Sequence, residues 1–270
     1  MFRTLSIAAS LACIATVAKG HEFWIDPENY IVEPGAQIVA DIKVGEDFKG
    51  GKQSYLPPNF RRFDYVYAGQ AHPVEGRMGD LPAVRMDAPG EGLVVFVHET
   101  TDLRLAWDSY EKFESFVIHK DAAWTLQSHA DRGLPKKDVT EVYSRYAKSL
   151  VAVGDGAGSD LETGLLTEIV ALENPYTDDM SDGIDVQVFY EGNPRAGAQL
   201  EVFDEPVFGR VSVFTVKADE QGRATIPVKP GNKYQLDSVV LREPSPELAA
   251  SKNAQWESLW ANLTFAVPAR

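Results

Sequence analysis

The residue with the most distinctive chemistry in this sequence is His21, because cleavage of an export signal would place it at the start of the mature chain. An N-terminal histidine can hold a metal ion through its α-amine and its imidazole Nδ1 at once, and the α-amine loses its proton near neutral pH. Such a pair of nitrogen donors suits copper or nickel. A frayed chain end is the ordinary alternative. The apolar residues Phe23, Trp24 and Ile25 that follow predict an anchored terminus instead.

The cleavage itself is predicted by residues 1–20. Arg3 is followed by an apolar stretch from Leu5 to Ala18, and Ala18 and Gly20 place small residues where a signal peptidase reads the chain. The stretch is shorter than the roughly 20 apolar residues that a membrane span needs, and no later segment reaches that length. We therefore expect a periplasmic protein whose mature chain is not inserted into the membrane.

Three further histidines are candidate metal ligands, namely His98, His119 and His129. The only cysteine, Cys13, lies inside the signal, so a metal site in the mature chain must use nitrogen and oxygen donors. For each of the three, a hydrogen-bonded structural role is the alternative to metal binding. Their spacing leaves open whether they converge with His21.

The balance of charge excludes some partners. Removing Arg3 and Lys19 with the signal takes the formal net charge from -14 to -16. This argues against nucleic acid or anionic lipid as a partner, because either would need a basic face, and it suits the attraction of cations. Carboxylates such as Glu22, Glu99 or Asp121 could complete a metal site, but among 40 acidic residues the alternative is ordinary solvated surface.

Sequence patterns predict that a mainly β fold positions these residues, with one helical insertion near 109–127. The polar, turn-rich stretch 174–183 predicts a domain boundary. We therefore predict a signal peptide at 1–20 and two β-sandwich-like domains at 21–176 and 184–270, the second immunoglobulin-like or transthyretin-like. The strand candidates of the second domain are Ile184–Tyr190, Gln199–Phe203, Arg210–Val216, Ala224–Pro227, Tyr234–Arg242 and Leu263–Val267.

Four stretches spread over nearly the whole mature chain carry a family resemblance. They are His21–Pro27, Glu141–Leu150, Glu168–Val170 with Asn174–Pro175, and Trp256–Ser258. Together they resemble a periplasmic family of unknown function associated with nickel and cobalt uptake. The resemblance implies a periplasmic, metal-linked protein with β-rich domains, which in some relatives is encoded alongside metal permeases or outer-membrane receptors. It implies that His21 is a metal ligand, and His98, His119 and His129 are secondary candidates for further ligands.

The leading hypothesis is a periplasmic protein that binds nickel, cobalt or copper and supports uptake or delivery of the ion. One alternative is a copper-dependent redox enzyme that uses the N-terminal histidine and one further histidine. Another is a non-catalytic module that binds glycans or proteins. The sequence has no Gly-x-Ser-x-Gly elbow, His-Glu-x-x-His motif or phosphate-binding glycine loop, so hydrolases and nucleotide-dependent enzymes find no support.

Overall fold

The computed structural model describes residues 22–269, so the predicted signal peptide and His21 lie outside the described residues. In chain order the strands are β1 (Glu22–Pro27), β2 (Ile31–Val32), β3 (Gln37–Glu46), β4 (Lys49–Gln53), β5 (Phe60–Tyr67), β6 (Gln70–Pro73), β7 (Val84–Asp87), β8 (Gly92–Thr100), β9 (Leu103–Ala106), β10 (Thr140–Val153), β11 (Thr167–Ala171), β12 (Ile184–Tyr190), β13 (Asn193–Pro194), β14 (Gln199–Glu205), β15 (Ser212–Lys217), β16 (Arg223–Ile226), β17 (Lys233–Arg242) and β18 (Trp256–Ala266). The helices are α1 (Tyr110–His119), α2 (Trp124–Asp131) and α3 (Pro246–Lys252), and a single 3-10 turn spans Pro57–Asn59. The predicted mainly β class is confirmed.

A ten-stranded central sheet organises the chain. Its strands follow the order β15-β14-β17-β18-β10-β8-β5-β6, and β2 and β9 also pair with β10. The sheet is mixed, because β10 runs parallel to β18 and antiparallel to β8. It combines strands from both sides of the predicted boundary at 174–183. The division into two domains therefore stays a prediction.

Both faces of the central sheet are covered. Strands β1, β3, β4 and β7 form the N-terminal sheet, and β11, β12, β13 and β16 form a third sheet. Successive side chains of a strand point to opposite faces. Along β8, accordingly, Val94 and Phe96 pack under the N-terminal sheet, whereas Leu93 and Val95 pack under the third sheet. The fold is thus a layered β-sandwich with an apolar core on each side of the central sheet.

The predicted helical insertion is confirmed as the pair α1 and α2. The ring of Phe113 stacks on Trp256 and that of Phe116 stacks on Trp260, with centroid distances of 6.3 and 5.7 Å. The helices therefore cover the first half of β18 with the apolar side of α1. Within residues 22–269, none of the helices has the length and apolar character needed to cross a membrane.

The helices and the N-terminal sheet lie on the same face of the central sheet. Asn262 of β18 stands opposite Ala147 of β10, and Ala147 belongs to the core under the N-terminal sheet. Side chains two residues apart on a strand share a face, so Trp260 lies on that face as well. A strip of the central sheet lies between the helices and the N-terminal sheet, and polar side chains are buried on it.

Candidate functional site

Five charged or polar side chains are buried on this strip. They are Glu22 of β1, Lys120 at the end of α1, Glu201 of β14, Asp237 of β17 and Asn262 of β18, and we name this group the polar seam. The strand register places Glu201, Asp237 and Asn262 side by side. Directly opposed side chains of neighbouring strands are about 5 Å apart at Cβ. Glu22 and Lys120 approach this row from the N-terminal sheet and from the helix.

Lys120 provides the cation of the polar seam. Its Nζ lies 2.5 Å from Oε2 of Glu201 and 3.2 Å from Oδ2 of Asp237. The distance from Nζ to Oε1 of Glu22 is 3.8 Å. Burial acts to lower the pKa of Lys120, but the three carboxylates outweigh it and raise this pKa. The ammonium therefore keeps its charge although it is buried.

The three carboxylates differ in pKa. Burial raises the pKa of Glu22 to about 8, and the nearby Lys120 offsets only part of this. Burial also raises the pKa of Asp237 against the opposing effect of Lys120. Burial acts in the same direction on Glu201, but a hydrogen bond from His119 and the ammonium of Lys120 lower the pKa of Glu201 to about 2. At neutral pH Glu201 is thus ionised, whereas Glu22 is mostly protonated.

Several atoms of the polar seam are buried without a hydrogen-bond partner in the described part of the chain. They include Oε2 of Glu22, Oδ1 of Asp237 and both amide atoms of Asn262. The amide of Gln235, on the same face of β17, is in the same state. A buried polar group without a partner costs about 1–3 kcal/mol, and such groups usually meet water, an ion or a ligand. The polar seam can therefore bind a further polar species.

Strand β1 is fixed firmly above the central sheet. Glu22 pairs in register with Gly45 of β3, and Oγ1 of Thr264 donates a hydrogen bond of 2.7 Å to the carbonyl oxygen of Ile25. Trp24 is fully buried and packs on Phe48. The chain is thus anchored in the fold from Glu22 onward, as the apolar residues Phe23, Trp24 and Ile25 predicted.

His129 has a structural role. Its Nδ1 accepts a hydrogen bond from Nε1 of Trp256 at 3.1 Å, and its Nε2 lies 3.1 Å from the carbonyl oxygen of Pro135. Because a carbonyl oxygen only accepts, Nε2 carries the proton and both ring nitrogens are occupied. This arrangement leaves no nitrogen of His129 for a metal ion.

His119 and His98 occupy different surroundings. His119 is largely exposed, and its Nε2 lies 2.8 Å from Oε1 of Glu201, so it stands at the rim of the polar seam. His98 is buried, and burial lowers its pKa to about 3. Its ring packs on three phenylalanine rings at centroid distances of 5.0, 5.2 and 4.8 Å, namely those of Phe23, Phe60 and Phe63. Only His119 therefore contacts the polar seam.

Within residues 22–269, no group of three or more His, Cys, Asp or Glu side chains has the arrangement of a metal site. A site built from the predicted histidines would need His21, and the assignment of metal ligands stays a prediction. Glu99 pairs loosely with Arg61, and Asp121 pairs with Lys217 on the surface. Of the carboxylates considered from the sequence, only Glu22 belongs to the polar seam.

Two of the stretches that carry the family resemblance pair with each other. Glu141 of β10 stands opposite Trp256 of β18, and Tyr143 stands opposite Ser258. The buried Glu141 accepts hydrogen bonds from Nε1 of Trp107, at 3.0 Å, and from the hydroxyl of Ser258. Burial raises the pKa of Glu141 to about 7 in spite of these bonds.

This raised pKa predicts a loss of stability as the pH rises. The unfolded chain releases the proton of Glu141 near pH 4.5, whereas the folded chain keeps it until about pH 7. The stabilisation is therefore complete below pH 4.5 and is lost as the pH rises to 7. We expect Glu141→Gln, which stays neutral, to gain about 3 kcal/mol of unfolding free energy relative to wild type between these two pH values. Denaturant unfolding at several pH values measures this difference, and parallel pH curves for the two proteins would contradict it.

Comparisons with known proteins identify a family. A family model described as a domain of unknown function (DUF4198) matches residues 18–240. No curated protein matches the chain. Among solved structures, the D0-D1 domain of Intimin is 12% identical, over 90% of this chain and 97% of that chain, with a TM-score of 0.20. A similarity this low supports no inference about function.

Proposed function

The chain belongs to the DUF4198 family, and from that premise and the polar seam we propose that it is a periplasmic protein that binds nickel, cobalt or copper. One observation carries the proposal. Lys120 contacts one oxygen of Glu22 and one of Asp237, while the other oxygen of each carboxylate is buried without a partner. Cleavage after Gly20 would make His21, which directly precedes Glu22 in the sequence, the first residue of the mature chain.

The donor set supports a transition metal over a hard cation such as calcium. Calcium takes six to eight oxygen ligands, whereas only three oxygens of the polar seam lack a partner among the described residues, namely Oε2 of Glu22, Oδ1 of Asp237 and Oδ1 of Asn262. Nitrogen from His21 together with oxygen from Glu22 and Asp237 suits late first-row metals. In this proposal His119 supplies a further nitrogen ligand at the rim of the polar seam. Without metal, Nε2 of His119 contacts Oε1 of Glu201. In this proposal Lys120 balances the carboxylates until a metal ion arrives.

The proposed role is capture of the ion and delivery to a metal permease or an outer-membrane receptor. A copper-dependent redox enzyme would use the same terminus but would consume oxygen or peroxide in the presence of a reductant. An interaction module would bind glycans or proteins and would not respond to metal. The titration described next can distinguish both alternatives from metal binding.

Calorimetric titration of the metal-free mature protein with nickel, cobalt, copper and zinc tests the proposal. The protein is exported with its own signal, and its N-terminus is checked by mass spectrometry. We expect one tight site that is weakened roughly 10- to 100-fold by Asp237→Asn and more strongly by His21→Ala. His72→Ala is the matched control, because His72 stacks on Tyr65 in the β5–β6 hairpin.

Three outcomes would speak against the metal site. Equal affinity of wild type and His21→Ala would exclude the N-terminal amine and imidazole. An equal loss in His72→Ala would indicate nonspecific binding to histidine. No detectable binding of any of the four metals by the wild-type protein would favour the interaction module, and turnover with copper and a reductant would favour the redox enzyme.

A further inference from the structure

A cavity of about 100 Å³ lies beside His98. We name it the His98 cavity. Four apolar side chains form much of its wall, namely Phe23, Leu56, Phe60 and Leu103. Pockets for drug-sized ligands measure about 300–1,000 Å³, so this space is too small for a nucleotide or a flavin. It has room for a molecule of a few heavy atoms, since a water molecule takes about 30 Å³ of liquid volume.

His98 and Arg145 are two of the buried polar side chains that line the same cavity, and Thr100 is a third. Nδ1 of His98 is buried and has no hydrogen-bond partner among the described residues. The second is Arg145, whose guanidinium carbon lies 4.8 Å from the ring centroid of Tyr143 and 5.5 Å from that of Phe23. Burial lowers the pKa of Arg145, while Tyr143, Asp237 and Glu22 act to raise it. A guanidinium has five N–H donors, so Arg145 can also donate to an anion at the cavity wall in addition to its existing contacts.

We infer that the His98 cavity binds a short-chain monocarboxylate of about two to four carbons. A guanidinium matches the planar geometry of a carboxylate, so Arg145 would hold the charged end of the ligand. The neutral imidazole of His98 donates one further hydrogen bond through Nδ1 in the matching tautomer. The alkyl chain lies against the phenylalanine and leucine side chains of the wall. The inference does not rest on the proposed metal site.

The test is a titration of the metal-free mature protein with acetate, propionate and butyrate at pH 7, followed by the NMR signals of the His98 ring. We expect saturable binding whose affinity increases about fourfold with each added methylene group. Butyramide has nearly the same shape but no charge, and we expect it to bind at least roughly tenfold more weakly. Octanoate exceeds the cavity, so we expect its affinity to fall below that of butyrate.

Two variants locate the ligand, with heat of binding as the readout. His98→Phe removes the unpartnered nitrogen but keeps a ring in the aromatic cluster, and Leu103→Trp fills the cavity from β9. We expect both to weaken butyrate binding at least roughly tenfold. His72→Phe is the matched control and should bind like wild type, because His72 lies outside the residues that line the cavity. Circular dichroism establishes that each variant is folded.

Several results would overturn the inference. One is equal affinity for butyrate and butyramide, and another is retention of butyrate binding in both His98→Phe and Leu103→Trp. A third is competition by chloride at concentrations similar to those of butyrate, which would identify a simple anion site. The metal proposal fails separately: equal nickel affinity of wild type and His21→Ala would refute the metal site, whereas the butyrate titration uses metal-free protein and would be unchanged.

Discussion

We expect the Lys120→Met variant to lose about 3–5 kcal/mol of unfolding free energy at pH 7. The substitution removes the ammonium that contacts Glu201 and Asp237, and methionine retains packing next to Trp260. Two buried carboxylates then lack their cation, and an uncompensated buried charge is far less favourable than a complete buried pair. Denaturant unfolding followed by tryptophan fluorescence measures the loss.

The destabilisation by Lys120→Met should shrink as the pH falls. In wild type, the pKa of Glu201 is lowered to about 2, so its stabilising contribution is present above pH 4.5 and is lost as the pH falls toward 2. Without Lys120, the folded pKa values of Glu201 and Asp237 rise, and the folded variant takes up protons earlier. We therefore expect the difference between wild type and variant to be largest at neutral pH, and a difference independent of pH would contradict this account.

Lys217→Met is the matched control for Lys120→Met. Lys217 pairs with Asp121, and both side chains are about half exposed. Exposed ion pairs contribute about 0–1 kcal/mol, so we expect the control to lose less than about 1 kcal/mol. Similar losses in the two variants would show that Lys120 does not act as a buried counter-cation.

Local sequence patterns were sufficient to predict many of the strands. The strand predicted at Ile184–Tyr190 coincides with β12, and the one at Tyr234–Arg242 lies within β17. Alternation with a period of two and turn residues are local signals, so they are visible without the tertiary structure. The helical prediction near 109–127 covers α1 and the first half of α2, and it misses the break between the two helices, where Asp121 has a φ of +58°.

Strand β18 shows where such patterns fail. The predicted strand begins at Leu263, whereas the observed strand begins at Trp256. The missed part, residues 256–262, buries polar residues on a face that the helices and the N-terminal sheet cover, among them Ser258 and Asn262. A strand with polar side chains on a covered face does not show the apolar alternation that identifies strands.

The polar seam could not be predicted from the sequence, because its residues come from distant parts of the chain. Glu201 and Asp237 are two of 40 acidic residues, and no local spacing distinguishes them from surface carboxylates. Their proximity to Glu22 depends on strand pairing and on the docking of β1, which only the fold provides. The apolar residues after His21 were the one useful signal, since they predicted that this end of the chain is anchored.

A second large effect is expected at Lys148, which is fully buried in the central sheet. Its Nζ lies 2.8 Å from Oδ1 of Asp160, 3.0 Å from the carbonyl oxygen of Leu161 and 3.2 Å from that of Ile169. Lys148→Met would leave the carboxylate and both carbonyl groups without this donor. We expect a loss of about 3–5 kcal/mol in denaturant unfolding.

Hydrogen exchange gives this prediction a local readout. Lys148 connects β10 to the loop between β10 and β11, so amide exchange in residues 154–166 should accelerate more than exchange in β17. Lys229→Met is the matched control, because Lys229 is exposed and lies 3.9 Å from Asp204. A loss below about 1 kcal/mol, or uniform acceleration of exchange, would contradict the proposed role of Lys148.

Variants of the two buried lysines also distinguish a structural ion cluster from the proposed metal site. Both oxygens of Asp160 accept backbone hydrogen bonds, from Leu161 at 2.8 Å and from Ala171 at 2.9 Å, in addition to their contacts with Lys148. Oδ1 of Asp237, in contrast, has no partner among residues 22–269. Nickel should therefore restore part of the stability lost in Lys120→Met and none of that lost in Lys148→Met. Equal rescue of the two variants would show that the unpartnered oxygens of the polar seam do not select the metal.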